Sequence, residues 1–277
     1  MSNAKDYTGQ NKKFLVYGRT GAGKSASILT HPGRKFVYIF DPAGVETFAG
    51  YDVEYEYFVP DMKLHKGKLG KDSNMSEFLR PNPKVYLEFE RDYEKKARNG
   101  FFDQYDLIAF ESFSTLQDML MWYILDAQGR GNSAPEIADY YYRADAMKNL
   151  VRIAAANSRI IYCSAHIVTA QDESTKRMET SLFLPKALRI GLPLMFSEVL
   201  HLFAETDKNG DPKYYAQFLP GHRMPDIRCS ITGVRQQEDI TIDWKKDPAG
   251  QGLFGLYGHK PNKTAEQLKR ENTVKLG

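Results

Sequence analysis

The chain has 277 residues, of which 42% are hydrophobic and 26% are charged. This is the usage of an ordinary globular chain, and it excludes a collagen-like, coiled-coil or wholly disordered protein. The two cysteines form no C-x-x-C pair, so we expect neither a disulfide framework nor a redox motif. The most apolar long stretch, residues 182–204, is broken by prolines and charges, and the opening MSNAKDYTGQNKK has no apolar run. We therefore expect a cytoplasmic protein without a membrane span.

The net charge of +3 is too small to indicate a nucleic-acid-binding protein by itself. Its distribution is less even, because lysines cluster between residues 63 and 71. Residues 245–277 carry seven basic side chains against three acidic ones. Each cluster is either an ordinary solvated surface or a contact surface for the phosphates of a nucleic acid.

Apolar runs alternate with helical stretches along the chain, which predicts an α/β fold with a mainly parallel sheet. Two later runs, 214–219 and 240–244, are expected to add antiparallel strands at an edge. We predict an N-terminal arm over 1–11, one domain over 12–244 with an insertion at about 62–84, and a basic C-terminal tail over 245–277. The predicted parallel strands are 14–17, 35–40, 107–110, 159–164 and 198–204.

Two helices are predicted between the third and fourth of these strands. The first covers about 114–128, where apolar residues recur at helical spacing and Gly129 ends the pattern. The second is predicted to begin at Ser133-Ala-Pro-Glu136, which has the S-x-x-E spacing of a capping box, and to continue through Ala154.

The strongest motif is GRTGAGKS, residues 18–25, which directly follows the apolar run FLVY and precedes a helical stretch. It matches G-x-x-x-x-G-K-[ST] at every fixed position, and that strand–loop–helix context is the one the motif requires. The backbone N–H groups of such a loop surround phosphate oxygens, the lysine reaches the β- and γ-phosphates, and the hydroxyl of the last residue binds Mg²⁺. The sequence thus predicts a site for a purine nucleoside triphosphate with Mg²⁺, formed by Gly18, Thr20, Gly21, Ala22, Gly23, Lys24 and Ser25.

This motif alone does not separate an ATPase from a GTPase or a kinase. The N-K-x-D element that reads the base in Ras-like GTPases does not occur in the chain. The lysine-rich segment 63–71 is only a weak substitute for the arginine-rich lid of a small-molecule kinase.

An acidic side chain at the end of another strand is needed for the Mg²⁺ shell. Glu111, at the end of DLIAFES, is the candidate, although Asp is usual there. The extra methylene moves the carboxylate by about 1.5 Å, so the hydrolysis rate is open. The alternative is a surface glutamate that caps the next helix.

A further group has to orient the attacking water, and a sensor has to register the γ-phosphate. For the first role we choose Glu46, which follows the second strand; Asp41 lies nearer that strand but could simply form the turn before Pro42. For the second role we choose His166, at the end of the fourth strand, with a buried structural histidine as the alternative.

These features together resemble the phage-encoded RecA-like nucleotide-binding proteins, including the Sak group of recombination ATPases. The likeness spans roughly residues 12–230 and is carried by FLVYGRTGAGKS, DLIAFESFSTL, the run from Pro135 to His166, and the runs 184–205 and 214–228. It implies a RecA-type core with a central P-loop strand and ATP-dependent action on single-stranded DNA. It also implies a homo-oligomer that works beside phage annealing or single-strand-binding proteins.

The resemblance implies further site residues. A basic residue that reaches a neighbouring subunit's γ-phosphate would be Arg228, or less readily Arg223. Single-stranded DNA would be held by loops 128–132, with Arg130, and 169–180, with Lys176 and Arg177. Two other interpretations stay open: a scaffold that is switched by nucleotide and hydrolyses it weakly, and a motor ATPase of DNA packaging or translocation.

Overall fold

The computed structural model describes residues 12–68, 75–156, 159–171, 178–221, 224 and 226–258. Its largest unit is a sheet of eight strands, which confirms the predicted α/β class. In chain order these strands are β1 (Lys13–Tyr17), β2 (Lys35–Ile39), β3 (Glu54–Tyr57), β6 (Leu107–Glu111), β7 (Ile160–Ala165), β10 (Glu198–Thr206), β11 (Pro212–Gln217) and β12 (Gln237–Asp239).

The strand order across this sheet is β12-β11-β10-β1-β7-β6-β2-β3. Every pair from β10 to β3 is parallel, whereas β11 and β12 are antiparallel additions at one edge. Strand β1 is therefore internal, and β7 separates it from β6, which ends in Glu111. Because the carboxyl ends of parallel strands share one edge, the segments after β1, β2, β6 and β7 meet there.

Two further antiparallel hairpins extend from this core. One is formed by β4 (Met62–Lys68) and β5 (Met75–Pro81) and occupies the predicted insertion. The other is formed by β8 (Ile167–Gln171) and β9 (Met178–Leu182), directly after β7.

Helices cover both faces of the sheet. They are α1 (Lys24–Leu29), α2 (Lys84–Arg98), α3 (Phe113–Ala127), α4 (Ile137–Ala156), α5 (Lys186–Gly191) and α6 (Gly252–Tyr257). Successive residues of β1 divide between two cores, since Leu15 and Tyr17 pack with α2–α5 while Phe14 and Val16 pack with α1 and α6. This alternation is the period-two pattern of a strand buried on both faces.

The five predicted parallel strands are found within two residues of their expected ends. The antiparallel edge strand predicted at 240–244 is wrong. Residues 237–239 pair with β11, whereas 240–244 continue beyond the ladder. The apolar residues Ile240 and Ile242 favoured the wrong segment, because the pairing of an exposed edge strand uses its main chain and needs no apolar side chains.

The capping box predicted at Ser133–Glu136 is also wrong. Helix α4 begins at Ile137, and the Glu136 main-chain N–H donates to the carboxylate of Asp139 at 2.7 Å. Asp139 is fully buried and pairs with Arg130, which ties the preceding loop to the helix.

The domain continues past the predicted boundary at residue 244. Leu253 and Phe254 of α6 are completely buried, and the main-chain N–H of Gly250 donates to the Thr30 carbonyl at 2.8 Å. Residues 245–258 are therefore part of the folded domain. The predicted arm 1–11 and the tail beyond residue 258 lie outside the described residues.

Within the described ranges, no helix has both the length and the apolar character that crossing a bilayer requires.

Candidate nucleotide site

The loop between β1 and α1 has the conformation that its glycines predicted. Gly21 and Gly23 have φ of 78° and 86°, in the left-handed region that side chains disfavour. A Cβ on Gly18 would lie 2.3 Å from the carbonyl oxygen of Leu202 on β10, so only glycine fits against that strand. The loop therefore packs closely against the sheet while curling around a central space.

Lys24, the first residue of α1, points into this loop. Its ammonium donates to the carbonyl oxygens of Gly18 at 3.0 Å and Arg19 at 2.9 Å, and the side chain is buried. Burial lowers the pKa of Lys24, against the opposing influence of the Glu111 and Asp41 carboxylates. A buried ammonium that bonds to main-chain carbonyls favours an anion in the space beside it, because a negative charge offsets the cost of its burial.

Ser25 and Glu111 form the second part of the site. The Ser25 hydroxyl donates to Oε1 of Glu111 at 3.0 Å, which joins the start of α1 to the end of β6. Tyr162 of the intervening strand β7 holds α1 in place, because its phenol donates to the Lys24 carbonyl at 2.7 Å. The structure thus brings Lys24, Ser25 and Glu111 together.

Only 4% of Glu111 is exposed, and its Oε2 has no hydrogen-bond partner among the described residues. Burial raises the pKa of this carboxyl, although the hydroxyls of Ser164 and Ser25 and the charge of Lys24 act in the opposite direction. The Ser164 hydroxyl is close to Glu111 but donates to the Phe110 carbonyl at 3.5 Å, which leaves Oε2 without a hydrogen bond from the described residues. A buried carboxylate oxygen without a partner is costly unless a ligand or water completes it. This environment suits an acid that holds the water around a metal ion, and it differs from that of a surface helix cap.

The donors fit Mg²⁺. A hydroxyl and a carboxylate are hard oxygen ligands, and Mg²⁺ commonly takes one or two of these from the protein and the remainder from water and phosphate. Among the residues that the structure describes, no three His, Cys, Asp or Glu side chains form a metal site of their own. A Mg²⁺ ion here would therefore depend on the nucleotide phosphates, with Ser25 as ligand and Glu111 holding its water.

Asp41 adds a carboxylate at the end of β2, next to β6. Thr115 donates its hydroxyl to Asp41 Oδ1, and Nε2 of His166 lies 3.8 Å from Asp41 Oδ2. Burial alone would raise the pKa of Asp41, but the hydrogen bond from Thr115 and the nearby His166 and Ser112 side chains outweigh it and hold the pKa below its ordinary value. Asp41 is thus kept ionised, with one oxygen oriented by Thr115.

The structure does not bring Glu46 to this position. Glu46 is an exposed residue in the short 3₁₀ helix Glu46–Phe48, and Thr47 lines the cavity in its place. We therefore replace Glu46 by Asp41 as the candidate that orients water. The turn formed after Pro42 directs Glu46 to solvent, which the order of residues did not indicate.

His166 lies where the sequence placed it, directly after β7. Its main-chain N–H donates to Ser114 Oγ at 2.9 Å, and its side chain is half-buried at the cavity wall beside Asp41. A polar group at this edge can contact a phosphate or a water that Asp41 holds.

Arg228 does not lie at the phosphate loop. It bridges Val199 near the beginning of β10, and its guanidinium donates to the carbonyls of Pro193 and Phe196. Those bonds engage the side chain in the protein's own main chain, so Arg228 is not suited to reach a neighbouring subunit. Arg223, Lys176 and Arg177 lie outside the described residues.

Arg130 has partners as well. Its guanidinium contacts Asp139 at 2.6 Å and Glu136 at 3.2 Å. These ion pairs neutralise the only basic side chain of loop 128–132, so the structure gives this loop little free positive charge for DNA.

A cavity of about 540 Å³ joins these groups. Its lining includes the phosphate loop, Asp41, Glu111 and His166, and also a set that the sequence analysis missed: Tyr214, Ile240, Ile242 and Trp244. The alternation of apolar residues from Ile240 to Trp244 was visible in the sequence, but it marked a cavity wall rather than a strand.

A search of solved structures finds a KaiC-like protein, PH0186, from the hyperthermophilic archaeon Pyrococcus horikoshii OT3. The two chains are 12% identical, with a TM-score of 0.42 over 83% of this chain and 85% of that one. At this similarity no residue is carried over from that protein. No model of a protein family matches the sequence, and no curated protein does. The resemblance to phage recombination ATPases stays a prediction.

Proposed function

We propose that this protein binds Mg²⁺-ATP in the 540 Å³ cavity and hydrolyses it. One observation carries the proposal, which is the setting of Glu111 beside the phosphate loop that holds Lys24. Glu111 is buried, and its Oε1 lies 3.0 Å from the Ser25 hydroxyl. Its Oε2 has no hydrogen-bond partner among the described residues. A ligand that completes the free oxygen would remove the cost of burying it without a partner. Here the unsatisfied oxygen, the hydroxyl and the ammonium surround one space, and a metal-bound triphosphate would complete all three.

The chain's own residues account for binding and for orientation of the nucleophile. Lys24 exchanges its bonds to the Gly18 and Arg19 carbonyls for the β- and γ-phosphate oxygens, and the loop N–H groups surround the same oxygens. Bound Mg²⁺ would neutralise charge on the phosphates. Asp41, which stays ionised, accepts a hydrogen bond from the attacking water, and Thr115 and His166 fix the orientation of its carboxylate.

A second candidate is a nucleotide-switched scaffold that turns ATP over slowly. It is favoured by the raised pKa of Glu111, because a carboxyl that resists ionisation binds a metal-held water less readily. Turnover of the unmodified protein distinguishes the two candidates.

The test is phosphate release by the wild-type chain, by Lys24→Ala and by the matched control Lys95→Ala, which removes an exposed lysine of α2. We expect Lys24→Ala to reduce turnover at least about 100-fold, since it removes a charge that stabilises the transition state. The melting temperature of Lys24→Ala should equal that of the wild type. The turnover of Lys95→Ala should also equal that of the wild type. Equal turnover in Lys24→Ala and wild type would contradict the proposal; wild-type turnover no higher than the buffer blank, with ATP still bound, would select the scaffold.

We also propose that nucleotide binding is coupled to single-stranded DNA in phage recombination or replication, within a homo-oligomer. The support is the resemblance of residues 12–230 and the excess of basic residues beyond residue 244. Because Arg130 is paired, the tail is a better candidate for phosphate contact than loop 128–132. Stimulation of phosphate release by single-stranded but not duplex DNA would support this role and count against a duplex translocase.

A further inference from the structure

The apolar part of the cavity is built by a segment that crosses over α1. The segment follows β12 and begins beside β11 at Ile240, whose main-chain N–H donates to the Tyr214 carbonyl at 2.8 Å. Four residues later the Trp244 ring lies 6.1 Å from the ring of Tyr51, in the connection between β2 and β3. Strands β11 and β2 lie on opposite sides of β1, so residues 240–244 reach from one side of the phosphate loop to the other.

Packing fixes the course of this segment. Ile240 is buried, and its carbonyl and the Ile242 side chain lie against Gly252 and the end of α1 at Thr30. Tyr214 stands beside the loop itself, with its ring 3.2 Å from the position of a Cβ on Gly23. The apolar wall is therefore continuous with the phosphate loop and rigidly attached to the core.

Trp244 is the exception, because 51% of it is exposed although it lines the cavity. A large aromatic ring left half-uncovered at the wall of a cavity is a feature of binding sites, since ligand burial would recover its apolar area. The acidic and basic side chains of this cavity, Lys24, Asp41, Glu111 and His166, belong to the loop and to the strand ends. Among the described lining residues, none with a charged or amide side chain belongs to the 240–244 wall.

We infer that the base of the nucleotide stacks on the ring of Trp244. The site then binds a purine through its flat face and not through hydrogen bonds to the base edge. This inference rests on the proposed binding of a nucleoside triphosphate at the loop. Discrimination between adenine and guanine requires fixed donors and acceptors at the base edge. The side chains near this wall offer the hydroxyls of Thr47 and Tyr214, which can act as donors or acceptors, and the indole N–H of Trp244, which is a donor. That N–H lies in the plane of the indole ring, so a ring stacked on the base cannot direct it at the edge of the same base. ATP and GTP should therefore bind with similar affinity.

The chain has two tryptophans, and the second, Trp122, lies on α3 against the other core. In a Trp122→Phe background, fluorescence therefore reports on Trp244 alone. The experiment titrates this protein and its Trp244→Ala and Trp244→Phe derivatives with ATP, GTP and inorganic tripolyphosphate in the presence of Mg²⁺. Affinities of the two derivatives are measured by calorimetry, and circular dichroism checks that each variant is folded.

We expect ATP and GTP to change Trp244 fluorescence with dissociation constants within about fivefold of each other, and tripolyphosphate to bind without that change. Loss of one base–aromatic stack should weaken ATP binding by about tenfold in Trp244→Ala. Tripolyphosphate affinity should be unchanged, and Trp244→Phe should recover part of the loss.

Unchanged ATP affinity in Trp244→Ala would overturn the inference, as would an equal loss for ATP and tripolyphosphate, because Trp244 would then act on the loop and not on the base. Much weaker GTP binding would overturn recognition by the face alone. Failure of the proposed function gives a different result: the starting protein would bind neither ATP nor tripolyphosphate.

Discussion

Asp41 and Glu111 end neighbouring strands, yet their surroundings move their pKa values in opposite directions. The hydrogen bond from Thr115 and the nearby His166 and Ser112 side chains keep the pKa of Asp41 low, whereas burial raises that of Glu111. Two carboxyl groups with different proton affinities at one site are suited to different roles. The ionised Asp41 suits a water that has to be oriented, and the enclosed Glu111 suits a metal shell that supplies its missing partner.

Asp41 and Glu46 are the two candidates for the residue that orients the attacking water, and substitution distinguishes them. Asp41→Asn keeps the shape of the side chain but removes the charge that orients water, so we expect turnover to fall by about 100-fold or more. ATP affinity should be retained, because the loop and Lys24 are unchanged. Phosphate release and calorimetric ATP binding, measured on the same samples, separate the two effects.

Glu46→Gln is the matched control, because it makes the same chemical change on an exposed residue outside the cavity wall. Its turnover should equal that of the wild type. If Glu46→Gln is the slower enzyme and Asp41→Asn is normal, the sequence-based choice of Glu46 was right and our reassignment is wrong.

At the residue scale, the conformation of the phosphate loop could be predicted, because glycine positions and the Lys-Ser pair are fixed by short-range backbone geometry. The position of Glu111 followed from the same logic of a strand end. Glu46 and Arg228 could not be placed, because their positions depend on a turn and on main-chain acceptors that other segments supply. Trp244 had no sequence signal apart from the alternation around it.

At the scale of elements, α6 packs against β1 and the end of α1, the two elements that hold the phosphate loop. Phe254 is completely buried, and its ring centre lies 5.1 Å from that of Phe14 on β1 and 5.0 Å from that of His31. Its main-chain N–H also donates to Thr30 Oγ1 at 3.2 Å, just after α1. The helix therefore joins the last described residues of the chain to both elements that hold the loop.

We predict that Phe254→Ala lowers the free energy of unfolding by about 3–5 kcal/mol, the usual cost of emptying a buried phenylalanine site. Leu256→Ala is the control on the same helix, because Leu256 is 38% exposed and its removal should cost about 1 kcal/mol or less. Urea unfolding of both variants measures the difference. Equal stabilities would show that α6 is not part of the cooperative core.

The sequence did not predict α6 because six residues are too few for a helical period to be recognised. The surrounding lysines, glycines and proline indicated a solvated tail instead. Tertiary packing decides the outcome here, since Leu253 and Phe254 fill a gap beside β1 that no local pattern reports. The long helices α3 and α4 were predicted because their periods are complete, although the start of α4 was misplaced.

At the scale of the whole molecule, the order of the parallel strands decides the chemistry. Strand β7 separates β1 from β6, and β2 lies beyond β6, so three strand ends bring His166, Glu111 and Asp41 to one edge. The alternation of elements predicted a parallel sheet but not its order. The convergence of these side chains could therefore be expected only in outline.

Residues 259–277, the basic tail, are the proposed contact for a macromolecular partner. Residues 259–277 contain five basic and two acidic side chains. We predict that neutralising the five, in the full-length chain, weakens single-stranded DNA binding and lowers the magnitude of its salt slope by about 0.7 for each phosphate that the tail no longer neutralises. Fluorescence anisotropy at several salt concentrations measures the slope. The changes are K260Q, K263Q, K269Q, R270Q and K275Q.

A matched control removes a positive charge elsewhere and leaves the tail intact: Lys95→Gln on α2 should keep the salt slope of the wild type. Identical slopes for the wild type and the tail variant would remove the tail from the DNA interface. ATP turnover without DNA should be the same in both, because residues 259–277 follow the last element that supports the loop.

Calorimetric titration with Mg²⁺-ATP measures whether a triphosphate occupies the space enclosed by residues 18–25. We predict one binding site per chain, an affinity at least about 100-fold weaker in Lys24→Ala, and weaker binding when EDTA removes the metal. No heat of binding at millimolar Mg²⁺-ATP, or equal affinity in the wild type and Lys24→Ala, would contradict the account.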